Sequence, residues 1–403
     1  MRRARHAAIR LPRLPELRVV AMRVAGSSDG RIGGRGAPTA GRSAPQLPLA
    51  ASANPPIRPS ALPVLDERLR GTKFVTLDSH SVLNSPEQTG MDFWSINPYV
   101  GCEFGCTYCY ARFAHRYVVE RAHAAQRIDD AQLAEYRGAN GWEAFEQRIF
   151  VKAGLQAALR SDLRRYHRSA EHDAPIVIGT ATDPYQPAER RFRLTRLVLE
   201  ELAKCEGLSI GIITKSPLVT RDIDVLQRIQ RHNDLEIHLS LIALDPDLVR
   251  VLEARSPMPA VRLRAVARLT EAGVNAGVIV APVLPGISDD VERLDALFAA
   301  ARAVHARFVT ASPLRLYPGI RDRFLPVLDE HFPHLAERYR RAYVGRGAAP
   351  PDYARALTRR VTKLQRKYGF ETRDMRARYR KDRQAPQWEL DLGAETAREA
   401  PSR

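Results

Sequence analysis

At 403 residues the chain is long enough to bury a full core and long for one compact domain, which points to one large domain with extensions. No apolar run reaches the roughly 18 residues of a membrane span and no signal-type apolar segment opens the chain, so a cytoplasmic protein is expected. Four cysteines do not make a secreted disulfide framework, and a formal net charge of +17 favours anionic partners, nucleic acid first, unless the arginines only reflect genome composition.

Residues 1–60 carry eleven arginines against Glu16 and Asp29, a net +9, in an Arg/Pro/Ala/Gly-rich stretch without sustained periodicity. Such composition cannot bury enough apolar surface to offset chain entropy, so this tail is expected to be disordered apart from a helical patch near Leu17 to Val24. A start codon placed too far upstream would give the same appearance. From Lys73 onward short apolar runs alternate with helical ones, the pattern of parallel βα units. The first strand is expected near 92–96, followed by a helix from about Tyr110 and a charged, Ala-rich helical insertion over 118–142. Further strands are predicted at 176–179, 208–213, 236–242, 274–281 and 307–311, with helical stripes between them such as Phe192, Leu194, Leu197, Val198 and Leu202. Pro217 suits the first turn of a helix. A core over 61–318 is followed by a helical, basic extension over 319–403, whose run Arg373–Lys381 and Trp388 suit either a solvated face or a nucleic-acid contact.

Three of the four cysteines fall in one loop, Cys102, Cys106 and Cys109, spaced C-x3-C-x2-C, while Cys205 stands alone and reads as a small core thiol. Clustered thiolates favour zinc or iron-sulfur centres. The set is incomplete for structural zinc, which takes four ligands and commonly a second Cys or His pair. Three cysteines on a cubane leave one iron open, and an open iron can bind a small molecule. Gly101 and Gly105 let the loop turn and bring backbone amides near the sulfurs.

This spacing, with Tyr108 before the last cysteine, resembles the signature of radical S-adenosylmethionine (SAM) enzymes. Ser95-Ile96-Asn97-Pro98-Tyr99, Tyr110-Ala111-Arg112, Thr182-Asp183-Pro184-Tyr185-Gln186-Pro187 and Thr214-Lys215-Ser216 are similar to the spore-photoproduct-lyase-like branch, from about Lys73 to about Tyr317. The resemblance implies an α/β fold built as a partial (βα)6 barrel. It also implies a 4Fe-4S cluster on Cys102, Cys106 and Cys109 and S-adenosyl-L-methionine as cofactor. Chemistry would run through a 5′-deoxyadenosyl radical that takes a substrate hydrogen, fed by an electron donor such as flavodoxin or ferredoxin. Tyr108 is expected near the adenine; Gly179, Thr180, Thr182 and Asp183 stand where the superfamily often carries a Gly-Gly-Glu motif, which this chain lacks. Lys215, Ser216, Ser240 and, more loosely, Arg262 are expected to reach the SAM carboxylate or ribose. Tyr99, Arg112, Tyr185, Gln186 and Glu189 either face the substrate or cap and pack. The lyase takes its hydrogen donor from a cysteine in the loop after the second strand; this chain has Thr180-Ala181-Thr182 there, so thymine-dimer repair is not implied. The rival from a different class is a non-catalytic iron-sulfur or zinc nucleic-acid-binding protein, which would recruit a fourth protein ligand.

Overall fold

The computed structural model describes residues 64–370, apart from 68–70, 139–142, 170–171 and 346. The N-terminal tail, its expected helical patch, the run Arg373–Lys381 and Trp388 lie outside the described residues. Strands occur at β1 (Val64–Glu67), β2 (Lys73–Asp78), β3 (Leu83–Asn84), β4 (Trp94–Ile96), β5 (Tyr99–Val100) and β6 (Arg148–Ala153). They continue with β7 (Ile176–Ile178), β8 (Ser209–Thr214), β9 (Asp234–Ser240), β10 (Ala276–Val283) and β11 (Val309–Pro313).

The larger sheet has the order β11-β10-β9-β8-β7-β4-β3. From β4 to β11 neighbours are parallel and follow chain order, while β3 runs antiparallel at the edge. Parallel strands joined in sequence by helices are what right-handed crossovers produce, and the six parallel strands form the expected α/β framework. Each lies within two residues of its expected bounds. Strand alternation sorts their side chains. Ile210, Ile212, Leu235, Ile237, Leu239, Val278 and Val280 pack with Leu226, Val266 and Phe298 of the covering helices in the main core. Glu236, His238, Ser240, Thr310 and Ser312 therefore belong to the opposite, inner face.

A second sheet, β1-β2-β6-β5, was not read from the sequence. Its central pair is parallel, Lys73 opposite Arg148 and Asp78 opposite Ala153, so the partners are far apart in the chain. Phe74, Tyr99, Ile149 and Val151 pack together on it. Because β5 ends at Val100, this sheet holds the root of the cysteine loop. The insertion folds as helices Arg112–Ala124 and Asp130–Arg137, the second started by an Asp129/Gln132 capping box.

The helices Pro318–His331 and Pro333–Ala342 share an apolar cluster with Cys102, Phe104, Cys106 and Tyr108 through Phe324, Leu328, Leu335 and Tyr339. The helix Pro351–Tyr368 sets Leu357, Val361 and Leu364 into the main core. Among the described residues no helix is long and apolar enough to cross a membrane.

Candidate active site

The cysteine loop is held from several sides by groups that leave the sulfurs unbridged. Cys102 and Cys106 are buried and Cys109 half-buried, all as free thiols. Gly101 adopts a left-handed φ of 91°, and a Cβ there would stand 2.9 Å from the carbonyl oxygens of both Phe145 and Arg148, so only glycine lets the loop lie against β6. The Cys102 amide donates to Phe145 O at 2.9 Å, and Thr107 N donates to Leu252 O at 2.9 Å. Gln186 Nε2 donates to Gly101 O (3.0 Å) while its Oε1 accepts from Glu103 N (3.0 Å), and Glu103 Oε2 accepts from Ala188 N (2.7 Å).

Glu146 is a hub beneath the loop. It pairs with the buried Arg112, with Arg255 Nη2 at 2.6 Å and with Arg323 Nη2 at 3.7 Å. Arg255 Nε donates to Glu103 O at 2.6 Å and Arg112 Nη2 to Cys106 O at 3.4 Å, so the hub reaches the loop backbone. Burial works against ionising Glu146, but the three guanidiniums outweigh it and hold its pKa below the usual range.

The other side of the loop meets the carboxyl ends of β7, β8 and β9. Tyr108 OH donates to Glu253 Oε1, and Arg262 pairs with Glu253 Oε2. Lys215 Nζ stands 3.8 Å from Glu253 Oε1 and 5.9 Å from the Tyr108 ring centroid. Burial opposes the charge on Lys215, but the neighbouring Cys106 and Glu253 prevail and raise its pKa. Asp183 lies against β8: Thr214 Oγ1, Lys215 N and Tyr185 N donate to it at 2.6, 2.7 and 2.9 Å, while burial pushes its pKa up. Gly179 has a φ of 92°, and a Cβ would fall on Ile213 O and the Pro184 ring.

The structure brings Tyr108, Gly179, Thr180, Thr182, Asp183, Lys215, Ser216, Ser240 and Arg262 to the loop or the strand ends around it, with different commitments. Thr182 Oγ1 donates to Gly101 O at 2.6 Å and Thr180 Oγ1 accepts from Asn97 Nδ2 at 3.0 Å. Ser216 Oγ caps the turn at Pro217 by accepting from Leu218 N at 3.3 Å. Ser240 Oγ is buried without a hydrogen-bond partner, as are Ser312 Oγ and Thr310 Oγ1 on the same inner face. Arg262 is fully buried, its guanidinium donating to Pro257 O, Ser240 O, Ser256 Oγ and Glu253. Glu189 accepts from Tyr99 OH at 2.5 Å and from Thr195 N at 2.8 Å, and pairs with Arg221, which makes this group a packing and capping unit. Cys205 packs at the edge of the main core, apart from the loop cysteines. Sequence reading missed Glu253 and Glu146 and gave Asn97 only as part of a motif; its Oδ1 accepts from Ala181 N at 2.7 Å.

The donor set fits a polynuclear cluster. Burial, then Asp183 and the neighbouring thiols, raise the pKa of Cys102; burial, with Glu253 and Cys109, raises that of Cys106 against Lys215; burial also raises that of Cys109, with Arg112 opposing it. Thiols so placed need a cationic centre to be held as thiolates, and Lys215 and Arg262 beside Cys106 contribute in the same direction. Among the described residues no three His, Cys, Asp or Glu side chains are arranged to hold a single metal ion. A cubane makes no such demand, since each cysteine takes a different iron.

The sequence matches the family model described as the radical SAM superfamily over residues 96–298. An uncharacterized protein of Mycobacterium tuberculosis is 32% identical over 325 residues, covering 78% of this chain and 89% of that relative. An uncharacterized protein of Methanocaldococcus jannaschii is 27% identical over 194 residues, covering 48% of this chain and 61% of the relative. Among solved structures, a spore photoproduct lyase variant with dinucleoside spore photoproduct superposes with a TM-score of 0.53 at 14% identity, over 73% of this chain and 79% of that one. A further lyase variant, with bound AdoMet and the same dinucleoside, gives 0.50 at the same identity and coverage.

Proposed function

Since the chain belongs to the radical SAM superfamily and is a radical SAM enzyme, we propose that Cys102, Cys106 and Cys109 hold a 4Fe-4S cluster whose open iron takes SAM at the mouth of the barrel. When bound, the reduced cluster would supply the electron that splits SAM and so generates the radical that removes a substrate hydrogen. The observation that carries this reading is the pairing of the three-thiol loop, two of its thiols buried and one half-buried, with Lys215, whose ammonium stands beside the loop within ion-pair reach of a carboxylate but without a hydrogen bond to it. A half-buried ammonium with donors to spare suits the carboxylate of an amino acid moiety.

The chain's own residues divide the remaining work. Tyr108, fixed through its hydroxyl, offers a ring face toward the ligand; Ser240 Oγ and the small residues Gly179 to Thr182 let a ribose or amino group approach closely. The apolar cluster formed with Phe324, Leu328 and Tyr339 excludes water from the loop. A one-electron protein donor such as flavodoxin or ferredoxin would reduce the cluster. Nucleic acid is the substrate class we favour, supported by the net charge of +17 and by a fold shared with an enzyme whose structures hold a dinucleoside. The loop Thr180-Ala181-Thr182 carries no thiol, so the reaction proposed is hydrogen abstraction without assignment to the lyase's own repair.

Anaerobically prepared protein should bind about four irons per chain, lose them in Cys106→Ala and keep them in Cys205→Ala. SAM should then perturb the spectrum of the reduced cluster, and dithionite should yield 5′-deoxyadenosine. Colourless protein with stoichiometric zinc, or a cluster indifferent to SAM, rejects the proposal.

A further inference from the structure

Glu253 joins Tyr108, Lys215 and Arg262, three residues of the proposed cofactor site, and Ser256 beside them. It follows the helix Pro246–Leu252, its backbone bridges antiparallel to Cys106, and its side chain is fully buried. Oε1 accepts from Tyr108 OH, while Oε2 accepts from Arg262 and from Ser256 Oγ at 2.9 Å. Its ion pair with Arg262 is fully buried on both sides.

Lys215 completes the group in a different way. At 3.8 Å from Oε1 its ammonium is in ion-pair reach but beyond hydrogen-bond distance, so the carboxylate balances the charge without using the N–H donors. Fold stability alone does not call for this arrangement, because a buried ion pair can often be replaced by apolar groups of similar volume at no loss. A fixed anion between two cations beside a cluster ligand does act on redox chemistry, since net charge near an iron-sulfur cluster sets its potential.

We propose that Glu253 is a positioning residue of the cofactor site: its carboxylate fixes Tyr108, balances the charge of Lys215 while leaving its donors open, and lowers the potential at which the cluster is reduced. This rests on the cluster-and-SAM reading above. The sign follows from Coulomb's law: one negative charge less near the cluster makes adding an electron easier. Tyr108→Phe removes the hydrogen bond and leaves the charge.

The test is the midpoint potential of the loaded cluster, followed by electron paramagnetic resonance during anaerobic redox titration, alongside iron content. Glu253→Gln should retain iron and shift the potential upward; Tyr108→Phe should retain the wild-type potential and loosen SAM binding several-fold. Lys215→Met covers the case in which Glu253→Gln takes up no iron, because loss of the opposing cation must shift the potential downward. A Glu253→Gln protein with full iron and the wild-type potential overturns the proposal, as does an unmoved potential in Lys215→Met. Wild-type protein that binds no iron rejects the proposed function and this inference with it. A wild-type cluster that responds to SAM while the variants leave its potential unmoved rejects the inference alone.

Discussion

Glu146→Gln isolates what the arginine hub does for the cysteine loop. The substitution keeps volume and shape but leaves Arg112, whose side chain is only 3% exposed, facing a neutral amide. Removing one partner of a buried pair costs about 3–5 kcal/mol because the remaining charge stays desolvated. Arg255 and Arg323 are 39% and 34% exposed, so water screens them and each adds at most about 1 kcal/mol. Glutamine still accepts one hydrogen bond from Arg112, which puts the expected loss near the lower bound, about 3 kcal/mol. Urea denaturation of the reduced, metal-free protein measures it, and the rate of iron loss from loaded protein reports the loop separately. The double variant Arg112→Met/Glu146→Leu should recover most of the stability, since it removes both charges. A Glu146→Gln loss under about 1 kcal/mol, with iron retention unchanged, refutes the hub as the anchor of the loop.

Three further outcomes are expected. His115 is buried against Phe145 and Phe150, and desolvation holds its pKa down at about 3. Its contribution is therefore complete above the ordinary histidine range and is lost at about 1.4 kcal/mol per pH unit as the pH falls from about 6.5 toward 3. His115→Gln should flatten that limb in denaturation at pH 7.5 and 5.5, and an unchanged slope rejects the assignment. Gly179→Ala meets both a left-handed backbone and the Ile213 carbonyl, so it should cost more than about 2 kcal/mol and weaken SAM binding; wild-type stability would contradict the close approach. If the basic tails gather nucleic acid, the affinity of the full chain should fall steeply between about 50 and 200 mM salt, with a smaller slope for a chain beginning near Ala61. Salt-independent or absent binding removes nucleic acid from the substrate reading.

The parts of this protein legible in the sequence are those whose physics is local. Strand and helix periods repeat over a few residues, so the six parallel strands could be placed, and three thiols within eight residues stand out by spacing alone. The second sheet was missed because its central pair joins Lys73 to Arg148, and no local pattern encodes a partner that far away. Glu253 was missed for the same reason, lying 145 positions from the tyrosine it holds. Arg262 shows a further limit. An arginine on a helix reads alike whether it is solvated, bound to a ligand or buried in an ion pair, and here its donors are spent on Pro257, Ser240, Ser256 and Glu253. Lys215, by contrast, is paired with Glu253 by charge without a hydrogen bond, so a ligand carboxylate entering there would meet a lysine whose neutralising anion is already in place. On the proposed reading, binding there would need no rearrangement of the charges around Cys106, the condition under which a cofactor could come and go without disturbing the three cysteines.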